Sequence, residues 1–252
     1  MILVISDVHL GYGLCNREAF SEFLDGYFSV DLDHMVILGD LFDFWRGNTN
    51  EIIADNEDIL EKILKLKTKN IHYIVGNHDY YMNNLGERYG DNFPFTISKN
   101  LRLEDGDNKF YFNHGYEFEA INMEPVTLDL YEEFSEKMCF SDDFIGGLAG
   151  HLWSLIQGDN LKEKFEKNPR ARLESLEETL KIYKLAVSTG KSFILGMKPD
   201  ERLIFGHTHG PFINKEKTVA NAGSWTMELQ SEYQNSYIEI VDGNIELKFF
   251  KP

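Results

Sequence analysis

Short apolar runs rich in β-branched and aromatic residues recur along the chain, and five of them stop abruptly at a polar cluster. The runs are Ile2 to Ile5, Met35 to Leu38, Ile71 to Val75, Phe110 to Phe112, Leu203 to Phe205, Val219 with Ala220, and Tyr237 to Val241 followed by Ile245 to Phe250. Their length and content are those of buried strands. Between the early runs lie helical patterns: residues 16 to 29 place Phe20, Phe23, Leu24 and Tyr27 on one face, and residues 51 to 67 do the same with Ile52, Ile53, Ile59, Leu60, Ile63, Leu64 and Leu66. Strands alternating with helices predict crossover units, and so an α/β sheet covered on both faces. The final two strands, Ser236 to Val241 and Asn244 to Phe250, flank Asp242-Gly243, a hairpin signal that makes the end of the sheet antiparallel.

The chain length of 252 residues suits one large domain, read here as spanning 1–252, and its 42% apolar share is enough for a core. The 25 Lys and Arg against 42 Asp and Glu leave a net charge of −17, which argues against broad binding of extended nucleic acid or an anionic membrane. Any phosphate must be held by something local. Cys15 and Cys139 make no disulfide framework and fit no paired zinc spacing, so both are read as reduced thiols in a cytoplasmic setting. The apolar start ends at Ile5, too short for a signal-peptide core, and no run has the ~18 uncharged apolar residues of a membrane span. Residues 117–190 break the strand rhythm: acidic at first, apolar from Phe144 to Ile156, then densely charged with helical spacing from Leu161 to Leu185. This segment is expected to be a helical insertion or cap over one edge of the domain.

Chemistry concentrates at the strand ends. In order come Asp7-Val8-His9, Gly39-Asp40-Leu41-Phe42-Asp43, Gly76-Asn77-His78-Asp79, Asn113-His114-Gly115 and Gly206-His207-Thr208-His209. Ligands of open α/β sheets bind outside the carboxyl ends of the strands. Of the eight histidines, five fall in these clusters; His34, His72 and His151 have no such company and are read as ordinary core or surface residues. In an extended segment residues two apart point the same way, so Asp7 with His9, and His207 with His209, are expected to present pairs of donors to one point. Glycines before Asp40, Asn77 and His207 permit tight turns and close approach. Nitrogen and oxygen donors without thiolate suit Mn, Fe, Zn or Ni better than Ca or a structural zinc knot.

Taken in order, these clusters resemble the signatures of the calcineurin-like metallophosphoesterase superfamily: Asp-x-His, Gly-Asp-x-x-Asp, Gly-Asn-His-Asp/Glu, a lone His and Gly-His-x-His. The resemblance implies a four-layer αββα sandwich and a dinuclear site bridged by Asp40. It implies one ion held by Asp7, His9, Asp40 and His209 and the other by Asp40, Asn77, His114 and His207, with Mn²⁺ the expected metal and Fe, Zn, Ni or Mg as alternatives. A hydroxide bridging the ions would attack phosphorus, with His78 as the non-ligand catalytic histidine and Asp43 orienting it. The helix-cap reading of Asp43 stays open, as does that of Asp79. Trp45, Asn77 and His78 are the candidate substrate contacts; Trp45, Tyr80 and Tyr81 can equally be packing aromatics.

Within the superfamily the chain is most similar to UDP-2,3-diacylglucosamine pyrophosphatases. That rests on Gly39 to Trp45, on the insertion, and on Ala222-Gly223-Ser224-Trp225. It departs from them in carrying His78 where they typically have Arg. An insertion pairing Phe144 to Ile156 with Lys162, Lys164, Lys167, Arg170 and Arg172 could cover acyl chains and a diphosphate, which would add a peripheral lipid contact; it could as well be a packed helix pair with a solvated face. The alternatives are a phosphodiesterase or phosphatase on small nucleotides or phosphomonoesters, a DNA-repair type of nuclease, which the charge disfavours, and a non-enzymatic scaffold, against which the full set of site residues stands.

Overall fold

The computed structural model describes residues 1–90, 93–123, 125–140 and 179–252. The first half runs β1 (Ile2–Ile5), α1 (Arg17–Tyr27), β2 (His34–Leu38), α2 (Thr49–Asp55), α3 (Glu57–Leu64), β3 (Ile71–Ile74), α4 (Met82–Tyr89), β4 (Thr96–Ser98), β5 (Asn100–Asp105), β6 (Asn108–Asn113), α5 (Tyr116–Asn122) and α6 (Leu128–Met138). After helical residues 179–187 come α7 (Lys191–Leu195), β7 (Glu201–Phe205), β8 (Phe212–Ile213), β9 (Val219–Asn221), β10 (Ser236–Val241) and β11 (Asn244–Phe249).

The strands form two sheets, ordered β11-β10-β1-β2-β3-β4 and β5-β6-β7-β9-β8. In the first, β1 to β4 are parallel and the β10–β11 hairpin is antiparallel, with β10 beside β1. In the second, β6, β7 and β9 are parallel. Strand alternation builds the layers, because successive side chains leave opposite faces. Leu3, Ile5, Met35, Ile37, Tyr73 and Val75 meet Phe20, Phe23 and Leu24 of α1 and Ile59 and Ile63 of α3. Their neighbours Ile2, Val4, Val36, Leu38 and Ile74 pack instead against Phe110, Phe112, Ile204 and Ala220 of the other sheet. That sheet's outer residues Tyr111, Leu203 and Phe205 bury Phe118, Ile182, Ala186 and Leu195. Helix, sheet, sheet, helix is the order of an αββα sandwich.

The single helix expected over 51–67 is divided at Asn56 into α2 and α3. The Asn56 amide nitrogen donates to Ile52 O at 2.8 Å and its oxygen accepts from Arg17 Nε at 2.9 Å, so a buried side chain takes over backbone bonding at the break. Of the insertion expected at 117–190, α5 from Tyr116, α6 and residues 179–190 are described; Phe144 to Ile156, His151 and the cations Lys162, Lys164, Lys167, Arg170 and Arg172 lie outside the described residues. Among the described residues no helix is long and apolar enough to cross a membrane.

Phe112 is fully buried between the sheets, whereas Phe193 is 97% exposed. Phe112→Ala should cost about 3–5 kcal/mol, seen as a lower urea midpoint, and Phe193→Ala should stay within about 0.5 kcal/mol.

Candidate metal centre

Because β1, β2 and β3 are parallel, and β6 is parallel to β7, their exits gather at one end of the sandwich, where Asp7 N donates to Gly39 O at 3.2 Å and Gly206 N to His114 O at 2.9 Å. The exits are not extended. Asp7, His9, Asp40, His207 and His209 have φ of 51°, 56°, 51°, 67° and 57°, left-handed backbone that non-glycine residues avoid. Asp7 and His9 thus converge through a tight left-handed turn, whereas the turn at His207 and His209 sends the two rings apart, His209 Nε2 to His9 Nε2 at 3.0 Å and His207 Nδ1 to Asn77 Oδ1 at 3.1 Å; the extended geometry and the shared point expected for His207 and His209 are corrected. The turns are laced together: His9 N donates to Asp40 O at 2.9 Å, Leu10 N to Leu41 O at 2.8 Å and Phe44 N to His78 O at 3.1 Å. Asp79 is buried at their junction, accepting from Gly76 N at 2.9 Å and Leu41 N at 2.8 Å. A Cβ on Gly206 would lie 1.8 Å from Ser6 Oγ and 2.5 Å from Asp7 Oδ2, so the glycine vacates the space that the Asp7 carboxylate fills.

Each central carboxylate commits one oxygen to the backbone. Asp7 Oδ2 accepts from His207 N at 2.9 Å and from the Ser6 hydroxyl, and Asp40 Oδ1 accepts from His78 N at 2.8 Å. The other oxygens face a shared space. Asp7 Oδ1 lies 3.5 Å from His209 Nε2 and 3.8 Å from His9 Nε2, those two nitrogens lie 3.0 Å apart, and Asp40 Oδ2 is 3.8 Å from His9 Nε2. Asp40 Oδ2 is also 3.2 Å from His114 Nε2, which is 3.2 Å from Asn77 Oδ1, itself 3.1 Å from His207 Nδ1. Two groups of donors therefore meet at Asp40 Oδ2. Asp7 Oδ1 is buried and accepts no hydrogen bond, a costly arrangement unless a cation fills the space it faces. Buried oxygens and imidazoles converging without thiolate fit divalent metals.

The outward ring nitrogens are held too. His9 Nδ1 meets Asp43 Oδ2 at 3.1 Å, His209 Nδ1 meets Glu228 Oε2 at 2.8 Å, His207 Nε2 meets Glu119 Oε2 at 2.8 Å, and His114 Nδ1 donates to Leu38 O at 2.6 Å. Such partners fix which nitrogen faces the centre. Glu119 and Glu228 escaped the sequence reading: one sits in an acidic stretch read as insertion, the other stands alone after Trp225, and no spacing marks either. His78 sits differently. Its Nδ1 meets the second oxygen of Asp43 at 2.9 Å, and the Trp45 indole stacks on its ring at 4.2 Å and 21°. His9, Asp43 and His78 also cluster, but both Nδ1 atoms there are spent on Asp43, so His78 stands outside the convergent donors. Among the described residues Asp43 caps no helix; the helix that follows it is capped by Asn48. Tyr80 is buried near Tyr116, Tyr81 packs on Phe140, and His34 with His72 form a pair 3.0 Å apart at the opposite strand ends.

Burial opposes charge throughout, yet at the converging carboxylates and imidazoles the opposite charges win. Asp7 and Asp40, facing His114, and Asp43, facing His78, are held well below the carboxylate range, and His209 brings Glu228 down to about 2. Against burial, Asp40 lifts His114 to about 10, and Asp43 and Asp7 raise His9 and His209 respectively. Burial, then Asp40, pushes Asp79 up to about 7. Carboxylates lowered and imidazoles raised around one space favour positive charge at the centre, which a divalent ion would supply.

Residues 1–211 match the calcineurin-like phosphoesterase family. The chain belongs to that family. It is a phosphoester hydrolase, from a family that acts with divalent metals. Among curated relatives, a UDP-2,3-diacylglucosamine hydrolase from Aliivibrio fischeri is 23% identical over 89% of this chain and 90% of its own. One of the same description from Shewanella oneidensis is 26% identical over 98% and 96%. Among solved structures, a dimetal phosphatase from Danio rerio is similar at a TM-score of 0.47, with 11% identity over 99% of this chain and 98% of its own.

Metal and protons compete for the same imidazole nitrogens, and the neighbouring carboxylates raise the proton affinity of His9, His114 and His209, so uptake should weaken as pH falls and should release protons, read as a buffer-dependent enthalpy in titration calorimetry. Gly206→Ala should lower metal content, measured by elemental analysis, while far-UV circular dichroism stays unchanged.

Proposed function

We propose that this chain is a dinuclear hydrolase of phosphodiester or pyrophosphate bonds, using Mn²⁺, on a small nucleotide-linked substrate like UDP-2,3-diacylglucosamine. The observation that carries the dinuclear reading is the shared position of Asp40 Oδ2 between two donor groups. Asp7, His9, Asp40 and His209 would hold one ion, and Asp40, Asn77, His114 and His207 the other. Such ions supply Lewis-acid polarisation of phosphoryl oxygens and a more acidic water.

The chain's own groups do the rest. With Nδ1–H of His78 donated to Asp43, the opposite ring nitrogen is left to hold or deliver a proton at the leaving oxygen. Stacking by Trp45 fixes that ring's plane. The Asn77 side chain, with its oxygen turned to the donors, keeps its NH₂ as a contact for a phosphoryl oxygen. The relatives' names support a nucleotide-linked pyrophosphate. A phosphodiesterase acting on small nucleotides is the second reading, favoured by His78 at a position where the resembling pyrophosphatases carry Arg.

Mn²⁺ added to chelated protein should restore hydrolysis of bis-p-nitrophenyl phosphate. A panel of UDP-diacylglucosamine, cyclic nucleotides, short DNA and a phosphopeptide then ranks substrates, and no turnover of any phosphate ester with any divalent metal rejects the proposal. His78→Ala should lower kcat by roughly 10²–10⁴ with metal content kept; loss of metal would reassign His78 as a ligand.

A further inference from the structure

We propose that Arg46 is a specificity-determining residue whose guanidinium holds a second phosphoryl group adjoining the scissile one, so that the site prefers diphosphate linkages over single phosphodiesters. This rests on the hydrolase reading above and concerns a residue that the five sequence clusters leave out.

The accessible face of the centre is narrow. Asp7, His9, Asp40 and His114 are at most 2% exposed, while His78, His209 and Arg46 emerge at 17%, 21% and 42%. Arg46 reaches both sides of that opening. Its Nη1 pairs with Asp43 Oδ2, beside the two histidines that Asp43 orients, and its Cζ lies 3.8 Å from the centre of the Tyr12 ring. The Tyr12 hydroxyl donates to Glu228 Oε1 at 2.9 Å, and Glu228 holds His209. The guanidinium is thus held by an ion pair at one edge and an aromatic ring beneath, so little side-chain entropy remains to be lost on binding an anion.

A charge balance for Asp43 alone does not account for this placement. Both Asp43 oxygens already take a histidine Nδ1, at 2.9 and 3.1 Å, and the carboxylate is fully buried, whereas the arginine is close to half exposed. A guanidinium has five N–H donors, and Asp43 engages one of its nitrogens, so a planar edge is left for oxyanions. A diphosphate diester carries one more negative charge than a phosphodiester. In a chain of net charge −17 a fixed cation at the mouth offsets that added charge.

The test uses Mn²⁺-loaded full-length protein and two probes, imidodiphosphate and inorganic phosphate, with dissociation constants from calorimetry. Arg46→Met should weaken imidodiphosphate by about tenfold or more, the size of a lost charged hydrogen bond, and phosphate by under about threefold. KM for a nucleoside diphosphate sugar should rise by about tenfold with kcat within about threefold, and Arg46→Lys should recover part of the loss. Equal weakening of both anions, no weakening of either, or a fall in kcat with KM unchanged would overturn the proposal; the last would make Arg46 a support for Asp43 and His78. If the wild type hydrolyses no phosphate ester, the hydrolase reading fails, while the ratio of the two dissociation constants still tests Arg46.

Discussion

Everything at the carboxyl end of the sandwich is arranged around the Asp40 carboxylate. One oxygen is tied to the His78 backbone, and the other is left where two sets of donors meet, so the loops after β1, β2, β3, β6 and β7 all answer to one buried group. The cost is visible in the backbone. Five of the seven converging residues sit in left-handed conformations, at of the order of 1–3 kcal/mol each. The two-sheet core sustains that strain: the strands that lead into Asp7, Asp40 and His207 cannot relax without exposing Val4, Leu38 or Ile204, all fully buried.

The electrostatics of the opening are finer than the net charge suggests. Two divalent ions alone would make it positive. The folded chain adds Glu119 and Glu228 to Asp7, Asp40 and Asp43, all with lowered pKa, and five carboxylates more than balance two such ions. The cation at the rim, Arg46, offsets that excess, so that an arriving phosphate meets less repulsion there. A compact group that reaches the centre is favoured, and a long polyanion across the acidic surface is not.

Much of this could be read from the residues. Apolar, β-branched runs gave the strands; the ordered clusters at their ends gave the family and, through that resemblance, the layers. Other parts were hidden for physical reasons. The break at Asn56 depends on a buried amide that reaches Ile52 O and Arg17, which helical periodicity does not register. The short strand β4 carries Thr96 and Ser98, exposed or half-buried, and so lacks an apolar run. Glu119, Glu228 and Tyr12 reach the centre only through the fold, and the left-handed turns at Asp7 and His9 carry no glycine to announce them.

The claim that Asp40 joins two metal sites is tested most directly by the electron paramagnetic resonance of Mn²⁺-loaded protein, with metal content measured on the same sample. The account predicts two ions per chain with an exchange-coupled spectrum, and loss of the coupling together with both ions' affinity in Asp40→Asn. A single ion per chain, or two that remain magnetically independent, would contradict it.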